Sequence, residues 1–121
     1  MIKVGITGQA GFVGTHLYNM LGLVNDEFER VFFEDAFFQD EIRLRSFVRQ
    51  CDVIVHLAAI NRHPDPKVIY RTNIQLVKLL IDAMMAERVT PHVLFSSSVQ
   101  EELDNEYGHS KRDGRALLEK W

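Results

Sequence analysis

The segment IKVGITGQAGFVG, residues 2–14, joins an apolar run to three glycines, and it decides the fold. Ile2–Thr7 has no helical period and ends at the glycines, which is typical of a buried strand. After the glycines, apolar residues recur every four positions and predict a helix over Phe12–Leu21, with Gly22 as its stop. A strand, a glycine loop and a helix in this order predict the first unit of a sheet with helical crossovers.

Further apolar runs alternate with amphipathic segments along the rest of the chain. Two prolines in RHPDP, residues 62–66, predict a loop, because proline interrupts a strand ladder. The alternation predicts an α/β fold, a doubly wound parallel sheet of four or five strands covered on both faces. The predicted strands are Arg30–Phe33, a very short one at Phe37 and Phe38, Asp52–Ala58 and His92–Ser96, and the predicted helices are Leu44–Gln50, Lys67–Glu87 and Tyr107–Trp121.

Length and charge narrow the class of protein. The chain has 121 residues, 14 Lys+Arg against 17 Asp+Glu, and 46% hydrophobic residues, which fits one globular domain over residues 1–121. A net charge of −3 gives no electrostatic reason to bind nucleic acid or an anionic membrane. Cys51 is the single cysteine, which excludes a disulfide framework and is consistent with the cytoplasm. The histidine spacing indicates no metal site.

The glycine loop predicts a nucleotide site. Gly8 allows a tight turn, Gly11 allows backbone to approach a pyrophosphate, and Gly14 allows the helix to pack closely on the strand. The helix N-terminus then offers free N–H groups to the phosphates. Thr15 follows the last glycine where a P-loop has lysine, which disfavours ATP or GTP hydrolysis. The predicted cofactor contacts of this loop are Gly8, Gln9, Gly11, Phe12, Val13 and Gly14.

An acidic pair follows the second predicted strand. Glu34 and Asp35 come about twenty residues after Gly14, where a carboxylate can bind the adenosine ribose hydroxyls and repel a 2′-phosphate. No basic residue lies between the glycines or directly after this strand, so NAD is favoured over NADP. The pattern does not tell which of the two carboxylates takes the role.

A tyrosine and a lysine lie one helical turn apart in YGHSK, residues 107–111. The ammonium of Lys111 stabilises the phenolate of Tyr107, so the phenol can exchange a proton with a substrate oxygen. A serine run, Ser96 to Ser98, ends the last predicted strand, and a hydroxyl there can donate to the same oxygen. The glycine loop, the serine-terminated strand and the Tyr/Lys pair occur in this order along the chain.

These stretches resemble the extended short-chain dehydrogenase/reductases, the NAD-dependent epimerase/dehydratase family that modifies nucleotide sugars. The matching segments are TGQAGFVG (7–14), DVIVHLAA (52–59), YRTNIQ (70–75), FSSS (95–98) and YGHSK (107–111). The resemblance implies a Rossmann domain that binds NAD or NADP. It implies catalytic roles for Tyr107, Lys111 and Ser98, and cofactor contacts at Leu57, Ala58, Ala59, Asn73, Ser96, Tyr107 and Lys111.

A closer similarity is to the capsule-type UDP-sugar reductases, the CapF-like group, because only eight residues separate Ser98 from Tyr107. It implies reduction of a UDP-4-keto-hexose in polysaccharide precursor synthesis, with a UDP-sugar as substrate. That group is usually associated with NADPH, so the choice of cofactor stays open. An epimerase, a dehydratase and an inactive cofactor-binding fragment are the alternatives. The family continues beyond this region into a substrate-binding portion, which we expect to be absent, and its members often dimerise through helices equivalent to 67–87 and 107–121.

Overall fold

The computed structural model describes residues 1–60, 62–96 and 105–121. Within these ranges four parallel strands form one sheet in the order β2-β1-β3-β4. The strands are β1 (Ile2–Thr7), β2 (Phe28–Val31), β3 (Val53–His56) and β4 (His92–Phe95), and the helices are α1 (Phe12–Leu23), a 3₁₀ helix (Asp35–Gln39), α2 (Glu41–Gln50), α3 (Pro66–Glu87) and α4 (Glu106–Lys120).

The strand order reverses direction between β1 and β3. The chain moves outward from β1 to β2, then crosses back to β3 and continues to β4. Right-handed crossovers therefore place α1 on one face of the sheet and α2, α3 and α4 on the other. In agreement, α1 packs against β1 and β2, whereas α2 packs against α3 and α3 against α4. This is the predicted doubly wound Rossmann-like sheet, and its crevice opens at the carboxyl ends of β1 and β3.

The core lies between the sheet and the α2–α3 layer. Gly5 in the middle of β1 permits this packing, because a Cβ there would lie 2.4 Å from the ring of Phe47 and 2.5 Å from the sulfur of Cys51. Burial raises the pKa of the Cys51 thiol to about 12, which leaves the thiol inert at neutral pH. The buried cluster contains Val31, Phe33, Phe37, Phe38, Leu44, Phe47, Val48, Cys51, Ile54, Leu80, Ala83 and Met84.

The longest helix, α3, holds the two neighbouring helices in place. Toward α2, Glu87 accepts hydrogen bonds from Arg45 and Arg49 at 2.9 and 2.8 Å. Toward α4, the Tyr70 hydroxyl donates to Asp113 at 2.5 Å, which raises the pKa of Tyr70 and lowers that of Asp113. In the described ranges, none of the helices is long and apolar enough to cross a membrane.

The prediction of a very short strand at Phe37 and Phe38 is wrong. These residues lie in the 3₁₀ helix, whose turns are closed by hydrogen bonds from Phe37 N to Glu34 O and from Asp40 N to Phe37 O. A strand would point the two adjacent rings to opposite faces. In the helix both rings are buried, and each lies 5.4 Å from the ring of Phe33. Burying both rings on the same side of the sheet decides the conformation.

Predicted helix ends shift where tertiary contacts extend the helix. α1 runs through Gly22 to Leu23. A Cβ at Gly22 would lie 2.8 Å from the guanidinium of Arg30, which stacks on Tyr18, so this glycine makes room for a side chain instead of ending the helix. α2 begins at Glu41, three residues before the predicted start, because Asp40 caps it by accepting from the Arg43 N–H.

Two strands have bounds that differ from the apolar runs: β2 is shifted by two residues and β3 is shorter. β2 is Phe28–Val31 instead of Arg30–Phe33, and β3 is Val53–His56 instead of Asp52–Ala58. Pairing starts at Phe28 because β1 begins at Ile2, its register partner. Pairing of β3 stops at His56, opposite Thr7, where β1 ends. α3, β4 and α4 agree with their predicted bounds to within one residue at each end.

Candidate functional site

A cleft of about 300 Å³ lies at the point where the strand order reverses. It opens between the loops that follow β1 and β3, with the 3₁₀ helix and α3 at its sides. Six of the residues predicted to bind a cofactor meet here. The lining residues are Gly8, Gly11, Asp35, Phe38, Gln39, Leu57, Ala58, Ala59, Ile60 and Leu76.

The glycine loop has the geometry that its sequence predicts. Gly8 has φ +75°, a left-handed conformation that favours glycine, and its carbonyl accepts from the Gly11 N–H at 3.0 Å. A Cβ at Gly14 would lie 2.1 Å from the Gly8 oxygen, so α1 packs against the loop only because residue 14 is glycine. Gly11 is the N-cap of α1 and has no side chain to cap the free N–H groups. These groups remain available to an anion in the cleft.

The other predicted residues of this loop differ in environment. Phe12 is 82% exposed at the start of α1, and Val13 is also exposed. Gln9 is partly buried, and its side-chain Oε1 has no hydrogen-bond partner among the residues that the structure describes. Gln9 does not line the cleft itself.

The two acidic residues have different positions. Asp35 is the first residue of the 3₁₀ helix and lines the cleft. Glu34 is the N-cap of that helix, is exposed, and does not line the cleft. Phe38 and Gln39 from the same helix also line it. Sequence reasoning missed these two residues because it placed Phe38 in a strand.

A buried hydrogen-bond network joins the ends of β1 and β3. The Thr7 hydroxyl oxygen accepts from the Leu57 and Ala58 N–H groups at 3.1 and 3.2 Å, and it lies 2.7 Å from His56 Nδ1. Since both acceptor positions are used, the hydroxyl donates its proton to Nδ1, and His56 is neutral with its hydrogen on Nε2. The Ala58 N–H is thus committed to Thr7.

His56 is buried, with 1% of its surface exposed. Burial, with a smaller contribution from the charge of Lys111, lowers the pKa of His56 to about 3. The ring stacks on Phe95 with centroids 5.8 Å apart. Among the described residues its Nε2 has no partner. The ring is therefore neutral at neutral pH.

Helix α4 presents Tyr107 and Lys111 together. Asn105 caps its first turn by accepting from the Gly108 N–H at 2.7 Å. Lys111 is 3% exposed; its ammonium donates to Ser96 Oγ at 3.2 Å and lies 5.7 Å from the centroid of the Tyr107 ring. Partial burial raises the pKa of Tyr107, so its phenol carries its proton at neutral pH. Ser98, the third predicted catalytic residue, lies outside the described residues.

Asn73 connects the loop after β3 to α4. Its Oδ1 accepts from the Ile60 N–H at 2.8 Å, and its Nδ2 donates to the Ile60 carbonyl at 2.9 Å and to Ser110 Oγ at 3.0 Å. The oxygen and both amide hydrogens have partners, and Asn73 is 5% exposed. The Asn73 amide is thus hydrogen-bonded to the backbone of Ile60 and to the side chain of Ser110. Ser110 was missed by the sequence analysis, although its position three residues after Tyr107 was a usable signal.

No group of three or more His, Cys, Asp or Glu side chains that could hold a metal ion occurs within residues 1–60, 62–96 and 105–121. The site in these ranges consists of the cleft at the ends of β1 and β3, the Tyr107–Lys111 pair, and the hydrogen bonds of Asn73 and Ser110 that connect Ile60 in the cleft wall to the Tyr107 backbone.

Comparison with known proteins gives one family and a set of related folds. Residues 4–120 match the family described as the NAD dependent epimerase/dehydratase family. A curated relative, the UDP-2-acetamido-2,6-beta-L-arabino-hexul-4-ose reductase of Pseudomonas aeruginosa, is 37% identical over 121 residues, which is 98% of this chain and 31% of the relative. The chain thus spans about a third of the length of that enzyme.

Solved structures agree in fold. RMD from Pseudomonas aeruginosa, complexed with NADPH, matches with a TM-score of 0.82 and 23% identity over 100% of this chain and 49% of its own. UDP-glucose 4-epimerase from Bifidobacterium longum, in complex with NAD⁺ and UDP, matches with a TM-score of 0.76 and 21% identity over 98% and 48%. The chain covers about half of each.

Proposed function

The chain belongs to the NAD dependent epimerase/dehydratase family, and from this premise we propose that it is the cofactor-binding part of an NAD(P)-dependent reductase acting on a UDP-4-keto-hexose in polysaccharide precursor synthesis. The observation that carries the proposal is the 37% identity to a UDP-sugar reductase over 98% of this chain. The resemblance inferred from the sequence motifs is thereby confirmed at the level of the family. We further propose that residues 1–121 form one domain.

The described residues fit a dinucleotide. The cleft lies at the carboxyl ends of β1 and β3, the position at which doubly wound sheets bind such ligands. Gly8, Gly11 and Gly14 leave room for a pyrophosphate beside the N-terminus of α1. Asp35 is placed to accept hydrogen bonds from ribose hydroxyls, and Gln9 offers an acceptor without a partner in the described part of the chain. When bound, the nicotinamide supplies the hydride.

The proton comes from this chain. The phenol of Tyr107 is protonated at neutral pH because partial burial raises its pKa. It can therefore donate its proton to the carbonyl oxygen of a ketone as the hydride reaches the carbonyl carbon, which converts C=O into CH–OH. The Lys111 ammonium stabilises the resulting phenolate. Ser98, whose role is implied by the resemblance to the family, is proposed to supply a second hydrogen bond to the substrate oxygen.

Asp35 also supports a choice between the two cofactors. A carboxylate at the ribose repels a 2′-phosphate, so we propose that NAD is preferred over NADP. The relatives do not decide this point, because one structure contains NADPH and another NAD⁺.

A 4-epimerase or a dehydratase is the alternative activity, and a cofactor-binding fragment without turnover is the alternative role. The epimerase structures are about one-fifth identical to this chain and support the fold alone. The reactions differ in net chemistry, because a reductase consumes one reduced cofactor per product, whereas an epimerase consumes none.

The test uses the 121-residue chain with NADH and NADPH. We expect fluorescence titration of this chain to show binding. Absorbance at 340 nm should fall when a UDP-4-keto-hexose is added to a longer form of the protein that carries the substrate-binding portion. Replacing Tyr107→Phe should lower the rate by about 10²-fold or more and leave the Kd of the cofactor within about twofold. Tyr18→Phe is the matched control, because Tyr18 lies in α1 and contacts Arg30 instead of the cleft.

Binding of neither cofactor would contradict the proposal. Binding with conversion of a UDP-sugar but no loss of reduced cofactor would favour the epimerase. Binding without any conversion would favour a fragment without turnover.

We propose, finally, that α3 and α4 form a dimer interface. Their outer faces form a groove of about 680 Å³, lined in part by Ile81, Met85, Leu117 and Trp121. Met85 is 63% exposed, which is unfavourable in water and supports coverage by a second copy. Sedimentation analysis should show a dimer that Met85→Glu converts to a monomer, and a wild-type monomer at all concentrations would contradict this interface.

A further inference from the structure

Ser110 is buried at the contact between α3 and α4, with 1% of its surface exposed. Its hydroxyl donates to the Tyr107 carbonyl at 2.7 Å and accepts from Asn73 Nδ2 at 3.0 Å. A serine hydroxyl has one hydrogen, so these two contacts fix its direction. The hydroxyl therefore links the backbone of Tyr107 to a side chain on another helix.

The orientation of Asn73 is fixed by its partners. The Ile60 N–H can only donate and the Ile60 carbonyl can only accept, so the Asn73 oxygen must face the first and its nitrogen the second. The remaining amide hydrogen points to Ser110. Ile60 lines the cleft, so a continuous chain of hydrogen bonds, buried between Asn73 and Ser110, runs from the wall of the cleft to the turn that bears Tyr107.

Two side chains hold the turn that bears Tyr107 by hydrogen bonds to its backbone. Asn105 caps the N–H of Gly108, and Ser110 holds the carbonyl of Tyr107. Through Ser110 and Asn73 this turn is joined to the loop that follows β3. The position of the phenol relative to the Lys111 ammonium depends on how firmly this turn is held.

We infer that Ser110 is a positioning residue, which fixes the first turn of α4 through Asn73 and thereby holds the Tyr107 phenol in place beside Lys111. The inference rests on the function proposed above, because it concerns the placement of the proton donor. Ser110 touches neither substrate nor cofactor in this role. It acts through the backbone of Tyr107.

The direct test is the titration of Tyr107 in the 121-residue chain without any cofactor. The protein carries three tyrosines, so ¹³C labelling of the tyrosine ring carbon that bears oxygen gives three NMR signals, and Tyr107→Phe assigns one. Ser110→Ala should loosen the turn and expose the phenol, so its pKa falls by about half a unit or more from the raised value. Ser46→Ala, which removes a serine hydroxyl that accepts from Gln50 within α2, is the matched control and should leave the signal unchanged.

Ser110→Cys is the second variant, because it keeps the volume of the side chain but donates more weakly. We expect the pKa of Tyr107 in Ser110→Cys to lie between its values in wild type and in Ser110→Ala. With substrate, Ser110→Ala should lower the turnover rate about tenfold while the Kd of the cofactor changes less than about twofold. An unchanged or raised pKa of Tyr107 in both variants would overturn the positioning role.

Failure of the inference about Ser110 can be distinguished from failure of the proposed function. The titration of Tyr107 needs no cofactor, so it tests Ser110 even if the proposed reaction is wrong. Conversely, wild-type protein that binds neither NADH nor NADPH would contradict the proposed function whatever the titration shows.

Discussion

The hydroxyl of Thr7 and the Nδ1 of His56 lie 2.7 Å apart at the carboxyl ends of two neighbouring strands. The same hydroxyl accepts hydrogen bonds from the N–H groups of Leu57 and Ala58, and both residues line the cleft. One side chain at the end of β1 therefore holds the loop after β3. Because the contact is buried, its loss leaves polar groups without water to replace their partner.

Thr7→Val should lower the free energy of unfolding by about 2–3 kcal/mol, since it keeps the shape but removes the partner of the Ala58 N–H and of His56 Nδ1. The Leu57 N–H keeps the Thr7 carbonyl as an acceptor at 3.2 Å. Urea denaturation followed by circular dichroism measures this loss. Thr7→Ser keeps the hydroxyl and should recover most of the loss. Thr15→Val is the control, because Thr15 is exposed and donates only to the Gln9 carbonyl at 3.2 Å. A loss as large in Thr15→Val would show that the buried network is not the cause.

His56 makes stability depend on pH. Its pKa is about 3 in the folded chain against 6.5 ordinarily, because burial penalises the charged ring. Between these values the unfolded chain binds a proton that the folded chain does not, so the free energy of unfolding falls as the pH drops below 6.5. At about pH 5 the loss is about 2 kcal/mol.

Denaturation of wild type and His56→Gln across about pH 5 to 7.5 checks this dependence. The variant cannot gain a proton at this position and should show the shallower decline. His92→Gln replaces an exposed histidine at the start of β4 and should keep the wild-type slope. If the free energy of unfolding changed equally with pH in wild type and in His56→Gln, the buried neutral ring would be contradicted.

Two glycines of the loop should respond differently to alanine. Gly14→Ala places a Cβ 2.1 Å from the Gly8 oxygen, so the loop or α1 must move, at a cost of about 2–3 kcal/mol in thermal or urea unfolding. Gly11→Ala meets only that oxygen, at 3.3 Å, and should change stability by less than about 1 kcal/mol. Both should weaken NADH binding, measured by fluorescence, by at least about tenfold. Gly11→Ala with wild-type affinity would rule out a pyrophosphate at this loop.

The position of Asp35 predicts a change of cofactor. Asp35→Asn removes the charge that faces the cleft, so the Kd of NAD should rise about tenfold while that of NADP falls. Glu34→Gln removes the neighbouring charge, which lies off the cleft, and should alter both values by less than about twofold. Calorimetric titration with each dinucleotide measures the ratio. A larger effect at Glu34 than at Asp35 would reverse the assignment.

Predictability differed with the range of the interactions involved. The strand–glycine–helix segment at residues 2–14 is set by local preferences, so β1 and the start of α1 followed from their order along the chain. The prediction that Gly22 ends α1 was wrong, because Gly22 lies inside the helix and leaves room for the Arg30 side chain. The strand predicted at Phe37 and Phe38 was also wrong. Two adjacent aromatic residues fit a strand locally, and only the position of Phe33 requires both rings on the same side of the backbone.

By itself the sequence determined the alternation of strands and helices, the glycine loop, the spacing of Tyr107 and Lys111 and the resemblance to one family. These are properties of neighbours along the chain, since periodicity and turn chemistry act over a few residues. Only the tertiary structure decided that Asp35 and not Glu34 faces the cleft, that Thr7 meets His56, and that Ser110 joins Asn73 to Tyr107. Those residue pairs come from separate elements, so their contacts depend on how the whole sheet packs its helices.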